Sequence, residues 1–287
     1  MVSVENTGRE PRHVERCAEI LTARESAELE RHLRQEYAGV FDDASIAFHI
    51  ESHAGMAFAD YAVQVVGAAI AAPARILDVG NGFGSFVVAA RNAGYDAIGT
   101  EVAAYEVDFA RRRLGRLRPQ DDAERVFLEG GVFASELEPE SFDAVTLWNV
   151  IEHIDDYRAV LARAAELLKP GGSIYVLCPN YAAWRNEAHY QVPWHPFLSR
   201  RAAAARLRAH GKNPQFFETS IFYRSNWGVM ATLRRLGFDL YDRLNLQPMS
   251  GLGVLFGGLV RRPRSLLDFY NPARFAVEVA GRKRRQP

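Results

Sequence analysis

Between Val14 and Tyr37 charged residues alternate with Ile20, Leu21, Leu29 and Leu33 at helical spacing, and an Ala-rich stretch over 55–71 repeats that periodicity. Residues 1–72 therefore read as a helical lead-in. Pro73 breaks the pattern, and short apolar runs then alternate with helical segments. The runs predict strands at 76–79, 97–101, 126–129, 144–148 and 173–178, with helices near 86–92, 105–118 and 157–168 filling the crossovers that parallel strands require. Residues 73–180 thus form a βαβ core.

After Pro179 the periodicity weakens and aromatic residues crowd in: Tyr181, Trp184, Tyr190, Trp194, Phe197, Phe216, Phe217, Phe222, Tyr223 and Trp227. Residues 181–224 read as an insertion or cap. A last helix over 225–236 leads through Gly237 into strands at 238–244 and 253–261, a hairpin that closes the sheet at residue 261. A tail over 262–287 carries two basic clusters, at 261–264 and 282–285. A solvated terminus and an anchor for an anionic surface are the two readings of that charge.

Composition narrows the function. Lys plus Arg equals Asp plus Glu at 35 each, so no overall field draws the chain to nucleic acid. Cys17 and Cys178 are far apart and have no nearby His or Cys at ligand spacing, which argues against a disulfide framework and a zinc site and fits the cytoplasm. No signal peptide is evident, and no apolar run approaches the ~20 residues of a membrane span.

The chemistry begins where the first strand ends in Asp78-Val-Gly80-Asn-Gly82-Phe-Gly84 and runs into a helix. Residues without Cβ atoms let a ligand lie against bare backbone. The spacing is G-x-G-x-G, and Ser85 stands where a dinucleotide fingerprint has its last glycine. Asp78 would repel a pyrophosphate but suits the ammonium and sulfonium of S-adenosylmethionine. Glu101, at the end of the next strand, is placed to accept from ribose hydroxyls, at a spacing that suits NAD equally well.

Three further segments carry a family resemblance: 141–156, with Trp148-Asn-Val-Ile-Glu-His153; 167–180, with Lys169-Pro-Gly-Gly172; and Leu236-Gly-Phe238 before a strand. With the glycine turn they make the chain similar to the class I S-adenosylmethionine-dependent methyltransferases, particularly the small-molecule, quinone-biosynthesis-type O-methyltransferases. The resemblance implies an α/β, Rossmann-like seven-stranded sheet, mostly parallel with an antiparallel last strand and helices on both faces. It implies that Gly80, Gly82 and Gly84 face the methionine and ribose of the cofactor, Glu101 the ribose hydroxyls, and the Asn149 backbone the ammonium. Val102 would pack on adenine. Gly131 replaces an Asp that family members use on the adenine amino group, so Val132 or Phe133 would have to supply packing there.

Methyl transfer depends chiefly on alignment and exclusion of water; a base is needed for a poorly ionised acceptor. His153, beyond the fourth strand, is the first candidate, with orientation of its loop as the alternative. His189 and His195 lie in the insertion, where they line an acceptor pocket or belong to a core. Glu152 has a family precedent in a divalent-cation site, but no full ligand set accompanies it, and no metal is expected. His49 and His53 share a helix face if 49–53 is helical, either covering the cofactor or forming a surface pair. The expected partner is a small-molecule acceptor with a hydroxyl oxygen (a phenol, natural product or sugar). A homo-oligomer stays open. The alternatives are an NAD-dependent oxidoreductase and a non-catalytic adenosylmethionine-binding protein.

Overall fold

The strand predicted from the Ile-Leu-Asp-Val run is β1 (Arg75–Val79), buried after its first residue. It is covered on both faces, which is why it reads as a continuous apolar run and not as an alternation. The computed structural model describes residues 21–133, 137–183, 185–196, 198–241 and 276–285. After β1 come α4 (Ser85–Asn92), β2 (Asp96–Glu101), α5 (Ala104–Leu117), a four-residue α6 (Ala123–Val126), β3 (Phe127–Glu129), β4 (Phe142–Trp148), α7 (Tyr157–Leu167) and β5 (Leu168–Pro179). Three helices precede them: α1 (Ala23–Glu36), α2 (Asp43–Ala54) and α3 (Ala57–Gly67). The hairpin strands β6 (Arg185–Asn186) and β7 (Pro193–Trp194), then α8 (Arg200–Ala209) and α9 (Gln215–Ser220), form the insertion. The chain closes with α10 (Asn226–Arg235), β8 (Phe238–Tyr241) and β9 (Ala276–Lys283).

The seven-stranded sheet runs β3-β2-β1-β4-β5-β9-β8. The first five are parallel, and β9 is antiparallel to both β5 and β8. One face packs on α7 and α10 through Val160, Leu161, Val229 and Leu233. The other packs on α3, α4 and α5 through Val66, Val87, Val107 and Leu114. β1 lies between β2 and β4, so the order reverses there and opens the crevice in which α/β sheets bind ligands.

Two expectations need correction. The antiparallel strand is Ala276–Lys283, inside the stretch read as a basic tail, while 253–261 lies outside the described residues. Val277 and Val279 are buried with Glu278 between them, but so short an alternation beside Arg282-Lys-Arg-Arg285 looks like a solvated terminus. Lys283 instead donates to the Leu168 carbonyl at 2.8 Å. The lead-in also holds a helix that periodicity did not reveal, α2, which buries Ser45, Ile46 and His49.

Lead-in and insertion are one structure over the carboxyl edge of the sheet. Phe41 and Ile46 share a core with Tyr181, Tyr190, Trp194, Leu207 and Phe217. Lys212 of the insertion pairs with Asp42, whose carboxylate also caps α2 by accepting from the Ser45 N–H at 3.0 Å. On the other side α1 docks on α5 through Leu29, Leu33 and Phe109, rimmed by the Arg112–Glu28 and Arg116–Glu25 pairs at 2.7 Å each.

Candidate active site

Beyond β1 the glycine turn is tied to β2 by Gly80 and Asn81 N–H groups, which donate to the Thr100 carbonyl at 2.8 and 3.1 Å. Gly80, Gly82 and Gly84 all have positive φ, at 70°, 51° and 80°. Their reasons differ. A Cβ on Gly80 would stand 2.5 Å from Val150 Cγ2, and one on Gly84 would stand 2.7 Å from Phe127 Cζ. On Gly82 the nearest atom would be Glu106 Oε2, at 3.5 Å. Of the three glycines expected to face a cofactor, Gly80 and Gly84 are thus small so that loop and helix can pack, and Gly82 offers the bare backbone. Arg113, 1% exposed on α5, braces the turn by donating to the Phe83 carbonyl at 3.2 Å and to Ser85 Oγ at 3.0 Å. Ser85 therefore has a role of its own. A buried arginine on a helix carries no local signal by which sequence could find it.

Carboxyl groups converge on Gly82. Glu101 accepts from the Gly82 N–H at 3.1 Å and from its own neighbours Val102 and Ala103 at 2.7 and 3.1 Å. Asp78 is buried and accepts from Thr146 Oγ1 at 2.7 Å. Burial, eased by Thr146 and reinforced by the charge of Glu101, pushes Asp78 up to about 8. Glu106, in the first turn of α5, is likewise pushed up to about 8 by burial, then by Glu101 and Glu36. Such a floor is relieved by a cation and made worse by a pyrophosphate. Asn149, at φ 56°, spends its N–H on the Leu177 carbonyl at 2.7 Å, which leaves its carbonyl as the main-chain group suited to an ammonium. Val102 and Phe133 are 74% and 60% exposed beside the crevice. Val132, expected against adenine, instead points into the main core, because the turn at Gly131–Phe133 rotates successive side chains to different sides.

The histidines come from three places. His53 lies against Phe83 of the glycine turn, with ring centroids 5.3 Å apart, and His49, one turn earlier on α2, lies 6.2 Å from His189. They are not a surface pair: burial first, then neighbouring histidines, hold both at about 4. His153 is 5.2 Å from His189 and donates from Nδ1 to the Ser220 carbonyl at 2.9 Å, so its Nε2 carries the lone pair. Solvent reaches the ring, yet protein surrounds it on most sides; desolvation, then His189, holds it at about 4. The turn that carries it, Ile151–His153, is braced by Arg224, which donates to the carbonyls of Ile151 at 2.8 Å, Ile154 and Asp155.

His189 sits in the tight loop between β6 and β7, folded around Glu187, which is fully buried. The carboxylate accepts from the His189 and Tyr190 N–H groups and Tyr181 OH, each at 2.7 Å, and from His189 Nδ1 at 3.1 Å. Burial alone would raise Glu187; these bonds, led by His189, hold it at about 2. Sequence reasoning passed over Glu187 because nothing local marks a carboxylate as buried. Tyr190 and Trp194 are core residues. His195, half-buried after β7, is not among the rings that gather around His189. Among the described residues no group of three His, Cys, Asp or Glu is arranged to hold a metal ion.

A family model described as a methyltransferase domain matches residues 53–214, more than half of the chain. The chain belongs to the methyltransferase domain family. The methyltransferase is similar, over 119 residues and at 37% identity, to a ubiquinone biosynthesis O-methyltransferase from Xanthomonas campestris, which covers 41% of this chain and 48% of the relative. A ubiquinone biosynthesis O-methyltransferase from Idiomarina loihiensis is 31% identical over 112 residues, 38% of this chain and 45% of the relative. The chain thus spans about half the length of the curated relatives it matches. The YcgJ protein from Bacillus subtilis shares the fold, with a TM-score of 0.50 at 17% identity over 79% of this chain and 99% of that one. The acid-floored crevice at Gly82 suits a cationic methyl donor such as S-adenosylmethionine. No helix among the described residues is long and apolar enough to cross a membrane.

Proposed function

We propose that this methyltransferase moves a methyl group from S-adenosylmethionine to a hydroxyl oxygen of a small molecule. The observation that carries the reading is the course of α2: His53 touches the glycine turn and His49 touches His189, so one helix joins the cofactor crevice to the histidines of the insertion. Four residues of helix span ~6 Å, which puts the two places within the reach of one small acceptor.

Bound S-adenosylmethionine supplies an activated methyl group on a sulfonium. Asp78, Glu101 and the Asn149 carbonyl would hold its positive and hydroxyl-bearing parts, and Val102 and Phe133 would cover its base. Those two exposed side chains would lose ordinary hydrophobic exposure when covered. The lid of α1, α2 and the insertion narrows access to the crevice, and His153 and His189 stand on the acceptor side, where an imidazole can take the hydroxyl proton. The name of the O-methyltransferase relatives supports oxygen as the atom modified.

The test is incubation with methyl-deuterated S-adenosylmethionine and a small-molecule extract of the producing organism, followed by mass spectrometry. Labelled methyl ethers are expected. Label found only on nitrogen or carbon overturns the hydroxyl assignment; cofactor binding without labelled product points to a non-catalytic binding protein.

A further inference from the structure

Three histidines gather at one place, but only one is backed by an anion. His153 spends Nδ1 on a neutral carbonyl, that of Ser220. His49 stacks beside His189, with centroids 6.2 Å apart, and leaves its Nε2 buried without a hydrogen-bond partner. His189 instead bonds a fully buried carboxylate, Glu187, which two main-chain N–H groups and Tyr181 hold in place. A buried carboxylate is costly unless it is bonded and balanced, and the group bonded to it that can become a cation is the His189 ring. Base, buried orienting acid and a free ring nitrogen are the parts of a general-base dyad.

Resting on the methyl-transfer reading above, we propose that Glu187 and His189 are that dyad, with His189 Nε2 taking the proton from an aromatic hydroxyl held against the rings of Phe216 and His153. Glu187 is a positioning residue: it fixes the ring and stabilises the imidazolium. The rings of Phe216, His153 and His49 pack directly on His189, with centroids 5.5, 5.2 and 6.2 Å away, and solvent reaches Phe216 and His153, whose faces a flat aromatic acceptor could stack against. In the step, the hydroxyl proton passes to His189 Nε2 as the oxygen forms its bond to the methyl carbon. The electron pair of the broken carbon–sulfur bond stays on sulfur, and the imidazolium later yields its proton to water. The titratable groups around His189 are Glu187 and Tyr190 on its own loop, Tyr181 bonded to Glu187, His153 after β4, His49 on α2 with Tyr37, the C-cap residue of α1, behind it, and Glu218 of α9, which acts on Tyr190.

The test uses catechol and 4-nitrocatechol as acceptor probes, the second being ionised near neutral pH and so needing no base. H189Q is expected to lose ~100-fold in kcat on catechol at pH 7 but less than ~10-fold on 4-nitrocatechol, and E187Q to lose ~10-fold on catechol alone. H153Q, the comparison, is expected to affect the two probes alike. Equal losses on both probes for H189Q, or the selective pattern in H153Q, overturns the proposal. A second measurement is independent of turnover. Long-range proton–nitrogen spectra of the histidine-labelled chain should show the His189 proton on Nδ1; a proton on Nε2 in the wild type overturns the dyad. If wild-type chain that binds S-adenosylmethionine methylates neither probe, the aromatic-hydroxyl assignment falls. If calorimetry detects no cofactor binding at all, it is the underlying methyl-transfer reading that has failed.

Discussion

His49 and His53 stand one turn apart on α2, His53 against Phe83 in the glycine turn and His49 against His189 in the insertion. Because protein crowds both rings, each is held neutral, at about 4, well below its value in an unfolded chain. The same desolvation acts on His153.

These depressed values make the lid sensitive to acid. Between about 4 and the unfolded value near ~6.5 the open or unfolded state binds more protons, so the stability these three groups support falls as pH falls through that window. Hydrogen exchange in α2 and in the 187–192 loop, corrected for intrinsic rates, is expected to accelerate from pH 7 to pH 5 more than exchange in β1 and β4. Uniform acceleration would contradict this.

The acidic floor has the opposite sign. Asp78 and Glu106 are held at about 8, above their unfolded values, so their carboxyls oppose folding increasingly as pH rises from ~4 to about 8. A cation favours their charged forms, so S-adenosylmethionine is expected to bind more tightly as pH rises from 6 to 8, with proton release visible as buffer-dependent binding enthalpy. E106Q should flatten the slope. A pH-independent affinity in the wild type would contradict the reading of the floor.

The two glycines that flank Phe83 should separate packing from binding. Gly84→Ala sets a Cβ 2.7 Å from Phe127 Cζ and 2.9 Å from Ala110 Cβ at φ 80°. It is expected to cost about 2–4 kcal/mol of stability. Gly82→Ala has room and should cost about 1 kcal/mol for its positive φ while weakening cofactor binding. Urea denaturation and calorimetry on both variants check the contrast; equal stability losses would contradict it.

Arg224 holds the turn that carries His153. Arg224→Gln leaves main-chain carbonyls of that turn without their donor and is expected to cost about 2–3 kcal/mol. Because Arg224 makes none of the contacts of the glycine turn, cofactor affinity measured at a temperature where the variant is folded should change less than threefold, a factor of about 0.7 kcal/mol. A larger loss of affinity would mean that the turn and the cofactor crevice are coupled.

The core strands were legible because β1, β2, β4 and β5 are apolar runs punctuated by Gly and Pro, and the glycine turn marks the crevice by conformation alone. What sequence missed lies where the cause is remote. The Asp43–Ala54 helix escaped because its buried set includes Ser45 and His49, polar types that blur an apolar stripe. The strand at Ala276–Lys283 escaped because it merges into a basic cluster. Glu187 and Arg113 take their roles from partners placed by the fold, including Tyr181 six residues away and Phe83 thirty away. Asp78, Glu101 and the glycines stand out in the sequence by position, but the difference among Gly80, Gly82 and Gly84 is visible only with Val150 and Phe127 in place.

The central claim is that the acid-floored crevice at Gly82 takes a cationic nucleoside and refuses a pyrophosphate. Isothermal titration calorimetry of the wild-type chain at pH 8, first with S-adenosylmethionine and then with NAD, tests it. Saturable binding of S-adenosylmethionine at one site per chain, with no heat from NAD, is the predicted result; binding of NAD, or no binding of S-adenosylmethionine, would contradict the account.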